Sequence, residues 1–209
     1  MQSKTIIIDL ARPEPAFSRC REVIRSGGLV VYPTDTFYAL GADPANPAAV
    51  ARLFEVKSRQ TGQPILLLIR DAREVLHWAA EITPQAEGLM QKFWPGALTL
   101  VFKAKTGVLP ELTAGTGTIG LRVPGNELTR QLLAWLGTAL TGTSANQSGG
   151  QSPQTAEEAQ KAIGSLVDCV FDGGVTPGGK PSTIVDVSAG APKVIREGAI
   201  PSGELLGFW

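Results

Sequence analysis

The stretch Leu29-Val30-Val31-Tyr32-Pro33-Thr34-Asp35-Thr36 decides how this chain is read. Four apolar residues make a short buried strand. Pro33 has no N–H to give a ladder and turns the chain out of the sheet. Two hydroxyls and a carboxylate follow directly, at the strand end where α/β sheets bind ligands. Ahead of it, residues 14–26 place Phe17, Cys20, Val23 and Ile24 on one helical stripe, and Gly27 with Gly28 ends that helix. Behind it, residues 48–57 form a helix with Val50, Leu53 and Phe54 inward. The pattern continues with strands over 5–8, 65–69, 98–102, 119–123, 139–141, 169–171, 183–187 and 194–196. Helices are expected over 71–79, 84–93, 128–136 and 155–163, the last with a Thr155 cap and Glu158 in a capping-box position. The run 65–69 is continuously apolar, which predicts a strand buried on both faces. Such interleaving predicts an α/β fold with a mixed sheet. No internal repeat or low-complexity linker is present, so one domain is expected over 1–209.

The 209 residues carry 19 basic and 19 acidic side chains. At this length a chain buries roughly 70% of its unfolded surface, so a core needs no staples. Balanced charge lacks the global field of an autonomous nucleic-acid binder and leaves room for a local basic cleft. Cys20 and Cys169 read as small hydrophobes of a reducing compartment, not as a disulfide. The short apolar run Ile6-Ile7-Ile8 is too short for a signal peptide, and no stretch approaches a membrane span. A soluble, cytoplasmic protein with no membrane partner is expected.

Several motifs fail on context. Gly115-Thr116-Gly117-Thr118-Ile119-Gly120 matches a dinucleotide fingerprint but precedes a strand instead of opening a helix. Gly174 to Lys180 nearly matches a phosphate loop, but Pro181 displaces the metal-binding hydroxyl and a strand follows. His77 is the only histidine and reads as a bystander between Leu76 and Trp78, which excludes a multi-histidine metal site. Asn146-Gln147-Ser148 is a formal glycosylation sequon without meaning in the cytoplasm.

What remains is a series of hydroxyl-rich or cationic motifs at strand ends. Thr34 and Thr36 read equally as ligand contacts or as turn chemistry. Lys57 and Arg59 reach one ligand only if the chain has left its helix there; otherwise they satisfy a helix C-terminus. Arg122 lies in an apolar strand and needs an anion, either a buried carboxylate or a bound one. Ser144, Asn146, Ser148 and Gly149 make a cradle for phosphate or sugar, and Ser182 repeats the placement. These groups supply donors and positive charge and no acid–base or metal device, which suits an enzyme that positions an anionic nucleotide.

The same residues resemble the threonylcarbamoyl-AMP synthase family, the YrdC-like proteins. The resemblance runs over about 27–200. It rests on Pro33-Thr34-Asp35-Thr36-Phe37-Tyr38, Lys57 with Arg59, Trp94-Pro95-Gly96 before Leu98-Thr99-Leu100, Arg122 with Pro124, Ser144-Ala145-Asn146 with Ser148-Gly149, Ser182-Thr183-Ile184-Val185-Asp186, and Arg196-Glu197-Gly198. It implies a twisted mixed sheet with helices on both sides and a deep, positively lined concave cleft. It also implies a nucleotidyltransferase that makes threonylcarbamoyl-AMP and pyrophosphate from L-threonine, bicarbonate and ATP, for threonylcarbamoyladenosine modification of tRNA. Carried over by position, Thr36, Leu68, Arg122, Gly142 and Ser182 are threonine contacts. Arg59, Gln63, Thr118, Ser144, Asn146, Ser152 and Arg196 are ATP contacts, and Lys57 with Arg59 are the catalytic cations. Magnesium comes with ATP, held largely by the triphosphate, and no organic cofactor is expected. The implied downstream partner is the tRNA threonylcarbamoyltransferase complex; a contact with tRNA or double-stranded RNA stays open. Three positions depart from the family: Ala39 for Gly, Gln60 for Pro and Leu68 for a His near threonine. The second domain of longer members is not expected after Trp209.

Two other readings compete. An RNA-binding or ribosome-associated protein would use the same cleft but needs exposed aromatics for stacking, and Phe54 and Trp135 fall on apolar helix faces. A paralogue would bind nucleotides or make another carbamoyl adenylate; the longer hydrogenase-maturation relative carries zinc-finger and acylphosphatase-like segments that this sequence lacks.

Overall fold

The computed structural model describes residues 4–58 and 63–208. In chain order the elements are β1 (Lys4–Ile7), α1 (Glu14–Arg25), β2 (Val30–Tyr32), β3 (Ala39–Gly41), α2 (Pro47–Val56), β4 (Leu67–Leu68), α3 (Val75–Trp78), α4 (Pro84–Phe93), β5 (Leu98–Lys103), α5 (Pro110–Thr113), β6 (Thr118–Arg122), α6 (Glu127–Leu136), β7 (Leu140–Thr141), β8 (Thr143–Ser144), α7 (Ala156–Ile163), β9 (Cys169–Asp172), β10 (Thr183–Asp186), β11 (Lys193–Arg196) and α8 (Ser202–Leu205). The mixed α/β class is as the sequence predicts, and the strands divide between two sheets. One is five-stranded, in order β1-β9-β2-β3-β8; the other is six-stranded, in order β11-β10-β5-β6-β4-β7.

Alternation along the strands explains the layers. In the smaller sheet, Val30 and Tyr32 of β2 with Cys169 and Phe171 of β9 meet Phe17, Cys20 and Ile24 of α1 and Leu132 and Leu133 of α6. The opposite face, Leu29, Val31 and Val170, meets Val50 and Leu53 of α2 and Ala159 and Ile163 of α7. Helices therefore cover both faces of this sheet. The larger sheet is different. Leu98, Leu100 and Phe102 of β5, Ile119 and Leu121 of β6 and Val185 of β10 join the core with Leu89 and Met90 of α4. The alternate residues, Thr99, Val101, Thr118, Gly120, Arg122, Ile184 and Asp186, line an open cleft.

Local signals set the helix ends. Asn46 caps α2 by accepting from the N–H groups of Ala48 and Ala49, and Pro47 stands at the first helical position, where no N–H is needed. Thr155 caps α7 by accepting from Glu158 N at 3.1 Å. The Glu158 carboxylate reaches Gln154 N at 2.7 Å, one residue before the expected capping-box partner.

The apolar run over 65–69 yields only the two-residue β4. Ile65 N donates to Leu112 O, outside the ladder. The sequence reading also passes over β3, β8 and α5. The strand β3 pairs with β2, Val31 opposite Leu40, and β8 exists through β3, with Ala39 opposite Ser144 and Leu40 opposite Thr143.

Candidate functional site

Pro33 ends β2 and the next three residues form a tight polar turn. Thr34 Oγ1 accepts from Thr36 N at 3.1 Å and donates to Phe37 O at 2.6 Å. Asp35 turns to Arg122, with 2.6 Å between Oδ1 and Nη2. These atoms lie off the line of a well-formed hydrogen bond, so the contact is chiefly ionic. Arg122 is only 4% exposed, and Asp35 is the anion its burial demands. Its Nε donates to Gly96 O at 2.9 Å and its Nη1 to Thr36 Oγ1 at a long 3.4 Å. Trp94-Pro95-Gly96 thus places a carbonyl under the guanidinium. The Trp94 indole N–H holds that turn through Leu98 O at 2.7 Å.

Leu68 is the register partner of Arg122 across the parallel β4–β6 pair, and both line the cleft. Gly142 closes the wall beyond it. A Cβ on Gly142 would stand 2.7 Å from Leu66 Cδ1 and 2.9 Å from Leu68 Cγ, so glycine is required for this approach. On the other side, Ser182 Oγ lies 2.9 Å from Thr99 Oγ1, both buried. Arg196 reaches over from β11, and its Nη2 donates to Ser182 O at 2.9 Å. Its guanidinium is held below the ordinary arginine range, first by burial among cleft atoms and then by the charge of Arg122. Among the described residues Arg196 has no carboxylate partner. An anion in this cleft relieves that strain on the cation.

The third wall is the segment after β7. Lys57 caps α2, and Ser58 has φ 47°, so the chain has left the helix as both cations required. The buried Lys57 ammonium donates to Ser144 O at 2.7 Å, Asn146 O at 2.6 Å and Asn146 Oδ1 at 3.0 Å. Ser144 Oγ donates to Asn146 Oδ1 at 2.5 Å, and Asn146 Nδ2 donates to Gly150 O. Lys57 therefore organises this loop as well as lining the cleft.

The cleft encloses about 960 Å³, the upper end of the roughly 300–1,000 Å³ range of ligand pockets. Thr36, Lys57, Gln63, Leu68, Thr118, Arg122, Gly142, Ser144, Asn146, Ser152, Ser182 and Arg196 all line it. Arg59 lies outside the described residues. Phe37, Thr99, Ile184, Asp186 and Ile195 line it too; the first four stand in motifs quoted from the sequence, but none of the five was expected as a contact. The alternation in Leu98-Thr99-Leu100-Val101-Phe102 carried the signal for Thr99. The two refused glycine motifs behave as context required: Gly115 and Gly117 have positive φ and lead into β6, and the stretch after Gly174 leads into β10. Among the described residues no group of three or more His, Cys, Asp or Glu could hold a metal. No helix among them is long and apolar enough to cross a membrane.

A family model described as "Telomere recombination", that of Sua5, YciO and YrdC, matches residues 22–198. The chain belongs to this family. It is 37% identical over 183 residues to the threonylcarbamoyl-AMP synthase of Pyrococcus abyssi, covering 87% of this chain and 54% of that protein. It is 37% identical over 173 residues to that of Thiobacillus denitrificans, covering 83% and 90%. The fold superposes on P. abyssi Sua5 complexed with L-threonine with a TM-score of 0.93, at 32% identity, covering 99% of this chain and 62% of that one. This chain thus spans little more than half of the Pyrococcus protein and most of the Thiobacillus one.

Proposed function

We propose that this protein joins L-threonine, bicarbonate and ATP into threonylcarbamoyl-AMP and pyrophosphate, a nucleotidyltransferase reaction that feeds threonylcarbamoyladenosine formation in tRNA. The observation that carries the reading is the polar face of the larger sheet. It brings Arg122, Arg196 and a set of hydroxyls into one concavity large enough for an amino acid and a nucleotide together. The names of the relatives point the same way.

The contiguous group Thr36, Arg122, Leu68 and Gly142, with Ser182 beside it, forms the amino-acid end. Arg122 is already balanced by Asp35, and its loosely held Nη1 is the donor available to a substrate carboxylate. The loop organised by Lys57, with Ser144, Asn146 and Ser152, forms the nucleotide end with Gln63, Thr118 and Arg196; Arg59 is assigned there by position alone. The threonine amine attacks the bicarbonate carbon with loss of water. The carbamate oxygen then attacks the α-phosphorus and pyrophosphate leaves. Every partner in these steps is an anion or becomes one. Holding them in contact against their repulsion is what fixed cations and hydroxyl donors contribute. Magnesium bound to the triphosphate would offset charge on the leaving pyrophosphate. Among the described residues the cleft offers it one carboxylate, which suits a metal arriving on a nucleotide rather than one caged by protein.

The test is pyrophosphate release with ATP and magnesium, omitting threonine and bicarbonate in turn. Release only when both are present, with a new adenylate resolved by chromatography, is the expected result. Release without threonine, or none under any condition, would reject the reading.

A further inference from the structure

Among the described residues Asp186 is the one carboxylate that lines the cleft. Its charged neighbours there, Lys57, Arg122 and Arg196, are cations suited to anions. A bare carboxylate in such a place repels the ligand the cations attract, so its position calls for a physical reason. It ends β10, two residues beyond Ile184 and on the same face. Ile184 is the register partner of Arg196. Asp186 therefore stands about 7 Å further along the strand from the row that carries Arg196. In the other direction its register partner is Val101 of β5, itself opposite Gly120 of β6, so the cleft floor beside it is free of bulky polar side chains.

One oxygen of this carboxylate is fixed. Oδ1 accepts from Ser188 N at 2.9 Å, which sets the side-chain direction. Lys193 is its cross-strand register partner, yet the two form no ion pair among the described residues. Oδ2 has no partner among them, and the residue is only half-buried. A carboxylate with one oxygen tethered and one free, beside a cation row that would hold phosphate, is the protein share of a Mg²⁺ site of the common kind: one carboxylate, nucleotide phosphates and water. A divalent cation between Asp186 and the phosphates turns repulsion into attraction.

We infer that Asp186 anchors the divalent cation of the metal–nucleotide complex in this cleft. The inference rests on the nucleotide reading above and goes further by giving the metal a protein ligand. Asp186→Asn is the discriminating variant, because it keeps the oxygen that accepts from Ser188 and removes the charge. Binding of a non-hydrolysable ATP analogue is measured by calorimetry with Mg²⁺ and with EDTA. The wild type should bind the Mg²⁺ form at least tenfold more tightly than the metal-free form. The variant should lose that preference and bind the metal-free analogue at least as well as the wild type. A variant that keeps the full Mg²⁺ preference, or a wild type that shows none, overturns the inference and leaves the nucleotide reading intact. No analogue binding by the wild type in either condition overturns both. Should the variant fail to fold, Mn²⁺ spin resonance on wild-type protein carrying ¹³C-carboxyl aspartate decides the matter with the same analogue. A ¹³C coupling to the bound Mn²⁺ supports the assignment and its absence rejects it.

Discussion

A buried guanidinium costs free energy unless an anion meets it, and in this cleft one residue does so. Asp35 lies three residues after Tyr32, the last residue of β2, and reaches Arg122 on a different sheet. Removing it leaves a charge that is 4% exposed without its counter-ion. Asp35→Ala should cost about 3 kcal/mol in urea unfolding, and Arg122→Met in the same chain should return much of it. A loss below about 1 kcal/mol would show that the pair is solvent-screened after all. Leu68 makes a prediction about substrates. It offers no hydrogen bond to a substrate hydroxyl, a group that threonine and serine share, so on the proposed reading it can discriminate only through the extra methyl of threonine, by no more than about a hundredfold in kcat/KM. Leu68→Ala, which removes apolar contact with that methyl, should weaken the preference; equal strictness in the two proteins would remove Leu68 from the selectivity argument. The sequence alone presented Arg122 as needing an anion, a buried carboxylate or a bound one, without naming the residue. Only the turn after Pro33, which aims Asp35 at Arg122, supplies the buried one.

At the level of elements, β2 ends on a buried phenol, Tyr32, and a second, Tyr38, stands just before β3, each bonded to a backbone oxygen, Thr141 O at 2.7 Å and Gly174 O at 2.6 Å. Burial pushes both pKa values up, that of Tyr38 to about 12 from an ordinary 10.0. The folded state then keeps protons that the unfolded chain has lost. Stability is full below pH 10 and falls as pH rises toward 12. The urea midpoint should therefore drop between pH 9 and pH 11, and Tyr38→Phe should lessen the drop. A flat midpoint would contradict the assignment. Long periodic helices such as α1, α4 and α6 were legible because their apolar stripes and caps are local. The strands β3, β4, β7 and β8 were not, or only in part. Each is two or three residues long, and all or part of its ladder is supplied by partners far away in sequence, as Leu40 is by Thr143.

For the molecule as a whole, the division into two sheets escaped the sequence because pairing is a long-range property: β1 lies beside β9, with Lys4 opposite Cys169. The α/β class did not need that information, since alternating periods of 2 and 3.6 already require it. Much of the cleft was legible because its residues cluster at strand boundaries, Thr36 after β2, Ser144 after β7 and Ser182 just before β10. Thr99 and Asp186 were harder to assign to the cleft, because each belongs to a strand and faces the cleft only by parity. The central claim is that this one concavity holds amino acid, bicarbonate and nucleotide together and joins them. The most direct measurement supplies ¹³C-bicarbonate with threonine, ATP and magnesium and weighs the adenylate product by mass spectrometry. The account predicts a threonine-dependent adenylate whose mass carries the label. An unlabelled adenylate, or labelled carbamate with ATP left intact, would contradict it.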